Sequence, residues 1–168
     1  MSETNLIRKK TIKDFNNQWK LQGDLNDDYW ASSEIILDQF NEVYPITNID
    51  NKVVGDIGAG TGRLVKTFLD YNPKKIYAVE PSTMGMGKLR ERFDDNKKIE
   101  LINSDGLNFK TSELCDTIFS IGVIHHIKNP VDVLVNIRKN LKKNGKIVIW
   151  VYGYENNLLY IIFYKIIS

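Results

Sequence analysis

The chain has 168 residues, enough for one domain with a substantial core. Its net charge of +2 gives no electrostatic argument for nucleic acid, and the paired lysines Lys9-Lys10, Lys74-Lys75, Lys97-Lys98 and Lys142-Lys143 read as solvated surface. The single cysteine, Cys115, excludes an internal disulfide and fits a reducing, cytoplasmic compartment. Met1 to Lys13 has no apolar core of a signal peptide, and no run reaches the roughly 20 apolar residues of a membrane span.

Residues 1–50 read as an N-terminal helical cap. Ile12, Phe15 and Trp19 recur at helical spacing, and Ser32-Ser33-Glu34 opens a capped amphipathic helix through Val43, with Tyr29 and Trp30 between the two. Residues 51–153 alternate strand and helix. Strands are expected at Lys52–Ile57, Lys75–Glu80, Ile99–Ile102, Cys115–Ile121 and Lys146–Tyr152. Helices are expected at Thr61–Tyr71, Thr83–Phe93 and Pro130–Leu141, the last closed by Asn144-Gly145. Alternation of this kind makes an α/β, doubly wound parallel sheet, order 3-2-1-4-5, with helices on both faces. Its ligands lie beyond the carboxyl ends of the strands, at the switch point. Residues 154–168 read as one apolar C-terminal helix.

The first strand runs into Asp56-Ile57-Gly58-Ala59-Gly60-Thr61-Gly62. Alternating glycines between strand and helix allow a tight turn and a ligand pressed against the backbone, and the following helix offers unpaired N–H groups. A dinucleotide loop would place glycine at 63, where Arg63 stands, and no P-loop string occurs. Asp56 disfavours a pyrophosphate and suits a ligand carrying an ammonium and a sulfonium. Glu80, at the end of the second strand, can accept both hydroxyls of an unphosphorylated ribose. Pro81 and Ser82 follow, near the adenine. In Asn103-Ser104-Asp105-Gly106, Asp105 can accept from an exocyclic amine.

These motifs, with Cys115-Asp116-Thr117-Ile118-Phe119-Ser120-Ile121-Gly122-Val123-Ile124-His125-His126 and Asn144-Gly145-Lys146, resemble the class I (Rossmann-like) methyltransferases that use S-adenosylmethionine (SAM), in their small-molecule branch. The resemblance covers about residues 31 to 152. It implies that Asp56 and the Gly58–Gly62 backbone (Gly58, Ala59, Gly60, Thr61, Gly62) surround the methionine end, that Glu80 holds the ribose, and that Asp105-Gly106, with Ser104, meets the adenine. Ile121 and Gly122 line the methionine and transfer side. S-adenosylhomocysteine is the implied product. Phe15-Asn16-Asn17-Gln18-Trp19 and Tyr29-Trp30 look like the family's aromatic N-terminal helices, so that Tyr29 or Trp30 would cover the donor.

Methyl transfer needs mainly a nucleophile held about 3 Å from the methyl and water excluded. His125 or His126 could act as a general base, or the pair could be a loop element with packing duties. A metal site is not expected, because Cys115 lies at the opposite end of the fourth strand. The family's final antiparallel hairpin is missing, which leaves the fifth strand as an apolar edge. The chain could be a piece of a longer enzyme, or the tail could cover the edge. A homodimer through the edge or the C-terminal helix would cover it too. The implied acceptor is a small molecule; nucleic acid is not expected, because the charge is near neutral and no Asn/Asp-Pro-Pro-Tyr motif follows the fourth strand. A SAM-binding module without catalysis is the alternative.

Overall fold

Every residue of β1 (Val53–Ile57) is buried, so this strand has no solvated face and takes the centre of the sheet. The computed structural model describes residues 3–22, 37–38 and 40–151. Its other strands are β2 (Lys75–Val79), β3 (Ile99–Ile102), β4 (Cys115–Ile121) and β5 (Leu141–Trp150). They pair in parallel throughout, in the order β3-β2-β1-β4-β5. The expected sheet is present, and its switch point lies between β1 and β4.

Successive strand residues point to opposite faces, which produces two apolar layers. Val54, Ile76 and Phe119 pack on one face under α2 (Arg63–Leu69) and α3 (Thr83–Phe93). Val53, Tyr77 and Ile118 pack on the other under α4 (Pro130–Lys139). Phe119 centres the first layer, with its ring 4.6 Å from that of Phe68 and 5.7 Å from those of Phe40 and Tyr44. The buried Tyr44 hydroxyl bonds the Thr117 hydroxyl at 2.9 Å, which fastens the segment before β1 onto β4. A long helix, α1 (Glu3–Gln22), docks against α3.

Three expectations change. The helix expected to run to Leu141 stops at Lys139, and Leu141 already belongs to β5. Asn140 ends it: the side-chain oxygen accepts from both the N–H and the hydroxyl of Thr111, the side-chain NH2 donates to the Asn136 carbonyl, and the backbone carbonyl accepts from the Cys115 N–H. Cys115 then pairs with Leu141 but Thr117 with Lys146, so residues 142–145, Asn144-Gly145 included, bulge inside β5 rather than cap a helix. The helix expected from Thr61 begins at Arg63, because Gly62, at φ 91°, bends the chain through the left-handed region first. Beyond the described residues lie half of the helix expected over 32–43 (residues 32–36 and 39), Tyr29, Trp30 and the tail 154–168. Residues 37, 38 and 40 are helical as expected.

Asn140 is buried and ties α4, the start of β4 and the segment at Thr111 together. Asn140→Ala is expected to leave the Thr111 N–H unsatisfied and to cost about 1–3 kcal/mol of stability in urea denaturation. Donor-induced stabilisation should stay in place, because residue 140 lies at the sheet end opposite the glycine loop.

Candidate donor-binding site

The loop after β1 is held against the end of β2 by its own backbone. The Gly58 and Ala59 N–H groups both donate to the Val79 carbonyl, at 2.8 and 3.0 Å, and the Gly60 N–H donates to Glu80 Oε2 at 2.8 Å. The other Glu80 oxygen accepts from the Ser82 N–H at 2.8 Å. Glu80 is buried and, as an acceptor with two oxygens, keeps lone pairs for further donors. The Gly58, Ala59 and Gly60 N–H groups are therefore spent on shaping the loop, and α2, seven residues long, whose N-terminal N–H groups the sequence suggested for the ligand, begins behind it.

Asp56 is the penultimate residue of β1, beside this loop. It is 3% exposed, and its Oδ2 has no hydrogen-bond partner among the described residues. Burial, with the Glu80 charge nearby, pushes its carboxyl up to about 7, while the Arg63 guanidinium pulls the other way. A buried carboxyl with an unmet oxygen suits a cationic group, which would lower that pKa and ionise the acid. A second buried polar atom without a partner among the described residues is the Trp19 indole Nε1–H.

Trp19 reaches the loop from α1. A Cβ added at Gly60, itself at φ 55°, would lie 2.8 Å from the Trp19 ring. The space over Gly60, which the sequence reserved for ligand alone, is thus shared with an indole. Asn16 fixes this placement: its Oδ1 accepts from the Met84 N–H at 3.0 Å and from the Thr83 hydroxyl at 3.3 Å, at the start of α3. Phe15 stacks on Trp19 and meets His126 edge-on at 5.3 Å. α1 therefore spans the carboxyl end of the sheet, from α3 to the loop after β4. Its helical spacing was legible. That Trp19 and Asn16 would reach the donor loop was not, because one sequence does not say where a helix docks.

The remaining candidates fall around the same end. Ser82 is fully buried, and its hydroxyl accepts from the Gly85 N–H at 3.1 Å, so it caps α3. Pro81 is half-buried beside it. Asp105 Oδ1 accepts from the Leu107 and Asn108 N–H groups and from the Asn108 side chain, which closes its own turn. Ser104 is half-buried before it, and Gly106 is buried against Val133 of α4. Half-buried Ile121 ends β4, and Gly122 turns at φ 72° with its N–H on the Trp150 carbonyl. His125 and His126 form an exposed short 3-10 turn, with rings 4.0 Å apart. Burial lowers both imidazole pKa values, and the His126 charge adds to this at His125, so both are neutral at pH 7.

Two residues of the site escaped sequence reasoning. A Cβ at Gly85 would lie 2.7 Å from the Ser82 hydroxyl and 2.9 Å from both Glu80 Cγ and the Gly60 carbonyl. Arg92, two turns further along α3, donates to the Thr61 carbonyl at 2.7 Å and braces the loop from outside. A glycine in the first turn of a helix was the available signal for the first; Arg92 had none.

The residues fit SAM: an unmet buried acid for its ammonium, a ribose-directed carboxylate at the end of β2, and a glycine loop between them. A family profile described as "Methyltransferase domain" matches residues 56–147, more than half of the chain. The chain belongs to this family. It is a class I, SAM-dependent methyltransferase domain with a Rossmann-like fold. A tRNA U34 carboxymethyltransferase of Campylobacter fetus subsp. fetus (strain 82-40) is 29% identical over 135 residues, 78% of this chain and 46% of that protein. The protein of the same name from Campylobacter curvus (strain 525.92) is 33% identical over 112 residues, 65% of this chain and 37% of that protein. The chain thus spans less than half the length of these curated relatives. In fold it is similar to an S-adenosylmethionine-dependent methyltransferase from Clostridium acetobutylicum ATCC 824, with TM-score 0.60 and 19% identity over 83% of this chain and 56% of that one.

The relatives correct the expectation about partners. A small-molecule acceptor and the exclusion of nucleic acid do not stand beside relatives named for tRNA. The exclusion rested on the missing Asn/Asp-Pro-Pro-Tyr motif, which bears on only one kind of acceptor atom, and on net charge summed over the whole chain, which hides where the charge lies. No helix among the described residues is long and apolar enough to cross a membrane.

Asp56 fixes a pH signature. Its carboxyl ionises near 3.8 ordinarily and near 7 when buried, so the folded chain holds an extra proton between these values and loses stability as pH rises through them. Asp56→Asn removes the buried charge. It is expected to melt higher than the wild type at pH 8 without ligand, with the gap closing as pH falls toward 4. A gap independent of pH would contradict this. Gly85→Ala, which ordinarily gains about 1 kcal/mol in a helix, is expected instead to weaken S-adenosylhomocysteine binding about tenfold in calorimetry, because the methyl forces apart Glu80 and the Gly60 carbonyl.

Proposed function

We propose that this domain binds SAM and transfers its methyl group to a tRNA base, as the donor half of an RNA-modifying enzyme. The observation that carries the donor side is the buried, unpartnered Asp56 oxygen beside the glycine loop. The tRNA acceptor is carried by the relatives, whose name specifies U34 of tRNA.

In this reading Asp56 receives the donor's ammonium, and the backbone from Gly58 to Gly62 shapes the bed for the methionine end. Glu80, already fixed by two backbone N–H groups, accepts the ribose hydroxyls. Pro81 and Ser82 shape the start of α3 beside the adenine, and Ser104, Asp105 and Gly106 face it from the end of β3. Ile121 and Gly122 border the transfer side. The methyl leaves as the S–C bond breaks in line with the attacking nucleophile, and S-adenosylhomocysteine remains. Positioning and exclusion of water supply most of the rate. His125, neutral at pH 7 and at the rim of the transfer side, is the candidate base where the acceptor loses a proton.

The test has two arms. SAM and S-adenosylhomocysteine are expected to raise the melting temperature by mass action, and Gly60→Val is expected to abolish the rise. No rise at millimolar ligand in a folded chain would sink the donor reading. Radiolabelled methyl is then followed from SAM into unmodified tRNA. Label in tRNA that depends on a uridine at position 34 supports the acceptor. Donor binding without transfer, in a preparation where a longer version of the protein does transfer, would favour a second reading. That reading is a donor-binding half whose acceptor residues lie elsewhere, and it is favoured by the chain spanning less than half of its relatives.

Asp56 also links binding to pH. Because its carboxyl is largely protonated below about 7 in the ligand-free chain, SAM affinity is expected to rise between pH 6 and 8, with proton release on binding. Calorimetry in buffers of different ionisation enthalpy measures that release, and Asp56→Asn should remove both effects.

A further inference from the structure

The positive charge of the chain is concentrated on α1. By sequence this helix carries Arg8, Lys9, Lys10, Lys13 and Lys20 against Glu3 and Asp14, a surplus of three. The whole chain has a surplus of two, so the remaining residues are net negative by one. At about 100° per residue, Lys9, Lys13 and Lys20 fall within about 40° of one another around the helix. They form one stripe about 16 Å long at 1.5 Å per residue. All three are exposed. Asp14 points about 120° away from the centre of the stripe on the same count.

The stripe does not lie on an isolated helix. Asn16, beside it on the helical wheel, is the residue that bonds the start of α3, and Trp19 on the neighbouring face covers Gly60 of the donor loop. A polyanion laid along the stripe would run past the mouth of the donor site. Among the described side chains, Asn17, about 60° from the stripe on its solvent side, is exposed and polar, which suits a polyanion better than an apolar peptide or a membrane.

We propose that the Lys9, Lys13 and Lys20 stripe of α1 is the RNA-docking surface, contacting backbone phosphates and leading the acceptor nucleotide to the donor site. This rests on the tRNA reading above and adds the surface that receives it. Contacts of this kind position the RNA and carry no base specificity. They show in the salt dependence of binding, where each phosphate neutralised on a single strand adds about 0.7 to the slope of log K against log salt.

The experiment compares the wild-type chain with a Lys9→Gln, Lys13→Gln, Lys20→Gln variant and with a control, Lys97→Gln, Lys110→Gln, Lys143→Gln, whose lysines are exposed elsewhere. Glutamine keeps helix propensity, so α1 is retained. The probe is an unmodified anticodon stem-loop with uridine at position 34, titrated by fluorescence anisotropy over a salt series. The stripe variant is expected to bind about tenfold more weakly at low salt, with a slope smaller by about 2. The control should match the wild type, and all three should keep the melting shift given by S-adenosylhomocysteine. Equal slopes for the stripe variant and wild type would overturn the docking surface while leaving the tRNA reading intact. Wild-type chain that binds donor but not the stem-loop would overturn both. Lysine-dependent binding to phosphatidylglycerol vesicles, with RNA binding unchanged in the variant, would reassign the stripe to a membrane surface.

Discussion

The Glu80 carboxylate is the tie on which the site depends. One oxygen takes the Gly60 N–H and the other the Ser82 N–H, so a single side chain at the end of β2 sets the position of the glycine loop and of the first turn of α3. Both bonds are buried and charge-assisted, which makes them shorter and stronger than bonds between neutral groups. The hydroxyl of Ser82 continues the chain of contacts to the Gly85 N–H, and the absent side chain of Gly85 lets Glu80 and the loop approach. From the far side of the loop, Arg92 holds the Thr61 carbonyl. A loop of three glycines is entropically loose; here it is fixed by Glu80 at the end of β2 on one side and by Arg92 of α3 on the other.

This fixing has an electrostatic consequence. Asp56 lies out of water beside this tie and, secondarily, in the field of the fixed Glu80, and it responds by keeping its proton to about pH 7. The ligand-free domain therefore stores an unfavourable polar arrangement at the point where a cation is to bind. Sites arranged for charged ligands are commonly costly to the fold that carries them. The buried Trp19 N–H, on the ring that covers Gly60, is a cost of the same kind.

α1 carries two chemistries on neighbouring faces. Ile12, Phe15 and Trp19 are half-buried towards the sheet end, and the lysines are exposed. Asn16, between them, joins the helix to α3 through the backbone N–H of Met84. The helix thus binds to the protein through directed polar and aromatic contacts rather than a wide apolar stripe, which leaves its outer surface for charge.

The sequence by itself determined the sheet and the positions of the polar residues along it. Val53-Val54-Gly55-Asp56-Ile57 reads as a buried strand, the glycines after it as a turn, and alternation with helices as a parallel doubly wound sheet, for which the order 3-2-1-4-5 was the simple expectation. Helix α3 was legible to the residue, since Ser82 is a capping residue and the apolar spacing ends at Phe93. The end of α4 was not, because Asn140 stops it through Thr111 and Cys115, which are distant in sequence and adjacent only in the fold. For the same reason the tertiary structure alone decided that Trp19 shares the space over Gly60, that Gly85 must lack a side chain, and that the loop N–H groups point to β2. Local propensity and periodicity are written in neighbouring residues. Close approach between elements is set by how whole layers pack, and no spacing along the chain encodes it.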